Sequence, residues 1–309
     1  MSFQDGYKNQ VALLLEVLPV VLNDFKCFAL KGGTAINLFI RDMPRLSVDI
    51  DLTYLPIESR DVFLPNIEAE LLKMKQLIEQ LGVTVKTVPM KNGSISKLQV
   101  YSNNGMIKIE PNFVLRGSVF PCEEKELCDT AQDQFLKFMR VKTLSVADLY
   151  GGKICAALDR YHPRDLFDIK LLLENQGLTE TIRQAFIVYL ASGSRPMHEL
   201  LEPRITETSQ KEFEKTFQNE FSGMTSIPTT HEELKDIRAH LPKLLLSYFT
   251  ENEKMFLIQL KSGNPDWSLL PIDSIKNLPD IQWKLQNINK IPEEKKIEQL
   301  SKLKRVLEV

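Results

Sequence analysis

The stretch LSVDIDLTYL, residues 46–55, alternates so strictly that it fixes its own backbone. Ser47, Asp49, Asp51 and Thr53 fall on one side of a two-residue period, and Val48, Ile50 and Leu52 on the other. That predicts a β-strand with one polar and one apolar face. Along such a strand the carboxylates of Asp49 and Asp51 stand about 6–7 Å apart. The pair admits two readings. One is a solvated strand face. The other is a divalent-cation site, because magnesium takes carboxylate oxygens alongside substrate phosphates.

The residues ahead of the strand bear on that choice. FKCFALKGGT (25–34) reads as a short buried strand running into a glycine turn. Gly32 and Gly33 permit a tight turn and close approach of a ligand. Thr34 is placed to cap a helix, AINLFIRD, that ends before Pro44. The first amides of a helix attract anions. Alone, G-G-T is an ordinary turn. Strand, G-G-T, helix and D-x-D strand together predict a triphosphate held by amides on one side and by a metal on the other. Glu110, in the alternating stretch MIKIEPNF, completes a three-carboxylate set with Asp49 and Asp51 if its strand lies beside theirs; otherwise it is an edge-strand glutamate. Lys108 shares its face, as a phosphate contact or a salt-bridge partner.

Around this core the pattern predicts a helix over 8–24, a long amphipathic helix over 59–82, and strands at VTVKTVP, KLQVYS and MIKIEPNF, with turns at KNGS (91–94) and SNNG (102–105). Such an order implies an α/β (α+β) fold, a mixed sheet carrying helices. Helices follow over 145–161 and 163–177, with Pro163 at the start and Gly177 at the stop of the second. After 177 the pattern is helical with polar connectors: ASGSRP, SGMTSIPTTH and KSGNPDWSLLP read as loops. The last helix has Ile297, Leu300, Leu303 and Leu307 on one stripe. The expected division is therefore 1–177 and a mainly helical 178–309.

Composition excludes several classes. A formal charge of -2 offers no global basic field for nucleic acid, so such a partner needs a local patch. The one cationic run, KKIEQLSKLKR, is read as a solvated helix face or an RNA-phosphate contact. Cys27, Cys122, Cys128 and Cys155 form no C-x-x-C pair and are expected to be reduced, as in an intracellular, cytoplasmic protein. The four histidines lack zinc-ligand spacing. VALLLEVLPVVL (11–22) is too short to span a bilayer and is read as a buried helix. The first residues do not have the pattern of a signal peptide.

The second informative stretch is GGKICAALDRYHPRDLFDIKLL, 151–172. On a helix Lys153 and Arg160 share a face. Arg164, Asp165 and Asp168 enter the next helix, where acids suit the positive end of the dipole. Either that is their whole role, or an acid orients a lysine that meets phosphate. Gly151 and Gly152 are poor helix formers, costing about 1 kcal/mol each against alanine, and imply a kink or a close packing contact.

Taken together, KGGTAINL…RLSVDIDLTY followed by LYGGKICAALDR…PRDLFDIKLL resembles the AbiEii/AbiGii toxin family of nucleotidyltransferases over roughly residues 25–175. These are toxins of type IV toxin–antitoxin, abortive-infection systems. The resemblance implies a DNA-polymerase-β-like nucleotidyltransferase core. It implies Gly32, Gly33, Thr34, Lys153 and Arg164 as nucleotide-binding residues, Asp49 and Asp51 on Mg²⁺, and Lys153 and Asp168 as catalytic, supported by Arg164 and Asp165. It implies an NTP as substrate, a tRNA 3′ end as acceptor, and an antitoxin encoded by a neighbouring gene that need not touch this chain. A protein hydroxyl as acceptor (AMPylation or UMPylation), a kinase reaction, and a catalytically inactive nucleotide-binding module are the alternatives.

Overall fold

The computed structural model describes residues 3–91, 93–103, 105–204 and 206–309. The chain forms two compact units: Met1–Ser145 with Phe221–Pro228, and Val146–Glu220 with Thr229–Val309. The break in packing thus falls ahead of residue 146, upstream of the change in sequence character at Gly177.

In the first unit, β1 (Phe28–Lys31), β2 (Asp49–Tyr54), β3 (Thr84–Pro89), β4 (Ile95–Ser102), β5 (Gly105–Asn112), β6 (Glu123–Glu126) and β7 (Arg140–Thr143) make one sheet in the order β3-β4-β5-β2-β1-β7-β6. It is mixed, as the pattern implied: β2 runs parallel to β5 and β1 to β7, and every other neighbouring pair is antiparallel. The β3/β4 and β4/β5 hairpins match the expected strands, while Asn92 and Asn104 of their turns lie outside the described residues. The D-x-D strand is the central one. Its Ile50 and Leu52 are completely buried, and alternation puts the half-buried Asp49 and Asp51 on the other face.

Helices α1 (Asp5–Asn23) and α3 (Arg60–Glu79) pack on this sheet; α2 (Gly32–Ala35) and α4 (Asp129–Phe135) are short. α1 buries Val11, Leu13–Leu15, Val17, Leu18, Val21 and Leu22, which is why it is so apolar without being a membrane span. No helix among the described residues is long and apolar enough to cross a membrane. The segment β6–α4–β7 carries no sequence pattern that announces it. β6 is EEKE, an edge strand whose charges discourage pairing with other chains.

Residues 221–228, which read as a loop, are woven back into the first unit. The amide of Leu46 donates to the Met224 carbonyl (2.7 Å), that of Ser226 to Pro44 (3.1 Å) and that of Gln4 to Gly223 (3.1 Å), and Arg45 bridges Thr225. This strap fixes the backbone just before β2.

The second unit holds α5 (Val146–Arg160), α6 (Pro163–Asn175), α7 (Glu180–Ser192), α8 (Met197–Leu201), α9 (Glu207–Thr216), α10 (His231–Tyr248), α11 (Glu251–Ser262), α12 (Pro279–Asn289) and α13 (Glu293–Leu307), with no strand among its described residues. Of the stripe expected on α13, Leu303 and Leu307 are buried, but Ile297 is 59% exposed, because only the C-terminal half of that helix is packed.

The two glycines of α5 part company. A Cβ on Gly151 would lie 2.8 Å from the Cβ and carbonyl carbon of Ala185 and from the amide nitrogen of Phe186, so glycine lets α5 and α7 approach backbone to backbone. Beside it, Tyr189 of α7 donates to the buried Asp148 of α5 at 2.8 Å. A Cβ on Gly152 would meet nothing within 4 Å. The helix runs through both without breaking, which settles the close-packing alternative at Gly151. Gly151→Ala is therefore expected to destabilise the protein by about 1–3 kcal/mol through overpacking. Gly152→Ala is expected to be neutral or to stabilise by up to about 1 kcal/mol. Urea unfolding of the two variants reads this directly, and equal effects would contradict the packing account.

Candidate active site

In the first unit the site begins with strand register. β1 and β2 are antiparallel with Lys31 opposite Asp51, so the chain leaving β1 turns directly over the Asp51 side chain. Gly32 sits there at φ 73°, and any Cβ on it would overlap the Asp51 carboxylate. Only glycine satisfies both the backbone and the space. Gly33 is buried on a second contact, where a Cβ would lie 2.7 Å from the Arg45 guanidinium and 2.9 Å from Ser47 Oγ.

Thr34 does something other than cap a helix. The helical segment already starts at Gly32, with no side-chain cap, and continues past Ala35 as a π-helical turn over Ile36–Ile40. Thr34 is fully buried. Its hydroxyl donates to the Asp49 carbonyl at 2.5 Å and lies 3.1 Å from Ser47 Oγ. Asn37 donates to the Gly33 carbonyl at 2.9 Å. The threonine thus ties the glycine turn to the D-x-D strand, and its side chain points into the protein rather than toward a ligand.

Glu110 arrives where its strand was expected: β5 lies beside β2, with Asp51 opposite Glu110 and Asp49 opposite Lys108. Its carboxylate, however, accepts from Lys97 of β4 at 2.7 Å. Among the described residues no group of three or more His, Cys, Asp or Glu side chains is arranged to hold a metal ion. Glu110 thus stands opposite Asp51 on the neighbouring strand, with one carboxylate oxygen on Lys97. The donors that suit a hard cation are Asp49 and Asp51, half-buried oxygens on one strand face.

The second unit holds a different cluster. Lys153 of α5 places its Nζ 2.8 Å from Asp165 Oδ1 and 3.0 Å from Asp168 Oδ2 of α6, and all three are buried. Arg160, itself mostly exposed, adds 2.6 Å and 3.1 Å bonds to Asp165. Burial alone would raise the Asp165 pKa, but Lys153 and Arg160 together outweigh it and hold the carboxyl well below the ordinary range. Arg164 is not part of the cluster. Its guanidinium lies 3.2 Å from the His162 ring and 3.8 Å from Glu220, while His162 caps α6 by accepting from the Arg164 amide. Burial comes first among the causes that depress the His162 pKa, followed by the adjacent Arg164 charge.

Two supporting residues were not legible from sequence. Arg45 is 1% exposed and backs Gly33, and nothing in the residues around it announces that contact. Asn37 is hidden because a polar residue in an apolar helix gives no sign of its partner. The cysteines are all free thiols; burial pushes Cys27 and Cys128 up to about 11, which leaves them protonated and unreactive at neutral pH.

Residues 17–287 match the family described as nucleotidyl transferase AbiEii toxin, type IV TA system. The chain belongs to that family. No curated protein sequence gives a significant match. Among solved structures, MenT4, the nucleotidyltransferase toxin Rv2826c from Mycobacterium tuberculosis H37Rv, is similar at 13% identity, covering 92% of this chain and 95% of its own, with a TM-score of 0.59. That likeness speaks for the fold. Membership of the AbiEii family makes the chain an NTP-utilising nucleotidyltransferase of a toxin–antitoxin system.

The buried cluster sets an acid limit on stability. The folded pKa of Asp165 lies below its ordinary value of 3.8, so its ion pairs stabilise fully above that value and are lost as pH falls through the folded one. Unfolding of wild type and Asp165→Asn, followed from about pH 6 to pH 2, should show a gap that narrows at the acid end; a constant gap would contradict the ion pairing. Lys153→Met leaves two buried carboxylates without their shared cation and is expected to cost about 3–5 kcal/mol.

Proposed function

We propose that this AbiEii-family chain transfers a nucleoside monophosphate from an NTP to the 3′ end of a tRNA, which blocks aminoacylation and arrests translation, in the cytoplasm of the cell that makes it. In the step, the acceptor oxygen bonds to the α-phosphorus, the α–β phosphoanhydride bond breaks, and pyrophosphate leaves. The observation that carries this reading is Gly32 seated against the Asp51 carboxylate, which brings a side-chain-free stretch of backbone to a pair of acids.

Each residue has a stated task. The amides of Gly32, Gly33 and Thr34 hold phosphate oxygens, while the Thr34 hydroxyl keeps the turn on β2. Asp49 and Asp51 hold Mg²⁺, which when bound neutralises phosphate charge and favours ionisation of the acceptor hydroxyl. Lys153 and Asp168 are required for the reaction, Lys153 by supplying cationic charge for phosphate and Asp168 by orienting it. Asp165 and Arg164 act in support. Glu110, opposite Asp51 with its Oε1 on Lys97, is the third acid of the set. The antitoxin is a neighbouring-gene product whose action does not depend on binding this chain.

The test is to incubate the purified protein with each α-labelled NTP, Mg²⁺ and total tRNA. Label on tRNA from wild type and none from Asp49→Ala or Asp51→Ala is the expected outcome. Those two variants are preferred to Lys153→Ala, because the acids are half-buried whereas Lys153 is buried between two aspartates. Gly32→Ala should depress transfer at least about tenfold by displacing Asp51 and straining a positive φ. Label on protein instead would move the acceptor to a protein hydroxyl, release of NDP would indicate a kinase, and no turnover with intact nucleotide binding would indicate an inactive module.

A further inference from the structure

The half of the first unit's sheet that runs from β2 out to β3 has two unlike faces. One buries Leu98, Val100, Ile107 and Ile109, on a sheet that carries α1 and α3. The other bears the acids of the D-x-D strand, and register fixes how it continues. Asp49 stands opposite Lys108 of β5, Lys108 opposite Gln99 of β4, and Gln99 opposite Lys86 of β3. Directly opposed residues share a face. One row of four side chains therefore runs from the acids to the edge strand, a span of about 14 Å at the usual strand spacing. Asp49, Lys108 and Gln99 are half-buried and Lys86 is exposed.

The next row holds an aromatic ring. Tyr101 of β4 is half-buried on the same face, its hydroxyl donates to Gln99 Oε1 at 3.0 Å, and Lys86 Nζ lies 5.2 Å from its ring centroid. Charge is unevenly spread. The acids on this face of β2 to β5 are Asp49, Asp51 and Glu110, and Glu110 meets Lys97 at 2.7 Å. β3 and β4 contain no acid at all; their charged residues are Lys86 and Lys97. The face thus passes from a pair of acids to a strip of lysines with a ring among them. Protein interfaces deplete lysine and need an apolar centre, and the half-exposed aliphatic side chains here are only Val88 and Met106 among the described residues. Spaced cations beside an aromatic ring instead suit a single nucleic-acid strand, whose phosphates need charge and whose unpaired bases need a stacking platform.

We infer that this sheet face is a track for single-stranded RNA leading to Asp49 and Asp51, with Lys86 and Lys108 on backbone phosphates and Tyr101 stacked on a base. The purpose of the track rests on the proposed transfer to RNA; the track adds where the acceptor strand lies. It also supplies the local patch that a chain of net charge -2 needs for such a partner. A duplex fits it poorly, because paired bases offer no free face to the ring.

The experiment measures binding apart from chemistry. The full chain, without NTP or Mg²⁺, is titrated into a fluorescent single-stranded oligoribonucleotide of about 12 nucleotides and into the same sequence as a blunt duplex, at several salt concentrations. Wild type should prefer the single strand. Lys86→Gln should lower the slope of log affinity against log salt by about 0.7, the share of one phosphate contact. Tyr101→Leu should weaken binding about fivefold or more, and Tyr101→Phe, which keeps the ring and loses the bond to Gln99, should bind like wild type. In the transfer assay Lys86→Gln and Tyr101→Leu should raise KM for RNA and leave kcat and the KM for NTP unchanged. A wild type that does not bind the single strand, or binds the duplex as tightly, overturns the proposal, as do Lys86→Gln and Tyr101→Leu variants that bind like wild type. Transfer to tRNA that is indifferent to both substitutions sinks the track and leaves the transfer reading standing. RNA binding that depends on Lys86 and Tyr101 without any transfer to tRNA supports the track and sinks that reading instead.

Discussion

The first unit is organised by one steric fact. The antiparallel register of β1 on β2 sets Lys31 opposite Asp51, and the next residue must then turn where the Asp51 carboxylate already stands. Glycine alone fits there, at a positive φ. Everything nearby serves to hold that turn in place. Thr34 bonds the β2 backbone, Asn37 bonds the Gly33 carbonyl, and Arg45 and Ser47 wall off Gly33. The strap of 221–228 in turn pins residues 44–46. The glycine turn and the acidic strand are thus tied together by side-chain bonds, the preorganisation on which the proposed function relies.

The second unit uses electrostatics in the opposite way. In the Lys153–Asp165–Asp168 cluster the charges are buried and answered, with Arg160 closing the account from the surface. Such a cluster is a weak source of net stability but a strong constraint on geometry, since breaking it strands a charge. It holds α5 to α6, and the Gly151 contact holds α5 to α7.

Much of this was legible from the chain. The period-two run at 46–55 gave its strand and the facing of its acids, and the 3.6-residue patterns gave α1, α3, α5 and α6. The family resemblance rested on the same stretches. What the pattern misjudged has local causes. Thr34 looked like a cap because S/T before an apolar run usually is one, yet the permissive backbone of Gly32 starts the helix two residues earlier. For Glu110, alternation fixed the face of the side chain but not its ion-pair partner, Lys97, which comes from another strand. β6 was silent because an edge strand of four charged residues has no apolar alternation to show.

By itself, then, the sequence determined what short-range physics controls: which segments are helix or strand, which face carries the acids, where glycine must turn, and the family those motifs mark. Only the tertiary structure decided which side chains meet. Gly32 lies on Asp51, Arg45 behind Gly33, Lys97 on Glu110, Lys153 between two aspartates, and a distant loop across the approach to β2. The reason is that backbone periodicity is set by neighbours along the chain, whereas burial, ion pairing and close approach are set by residues brought together from remote positions, and one chain read alone carries no record of that pairing.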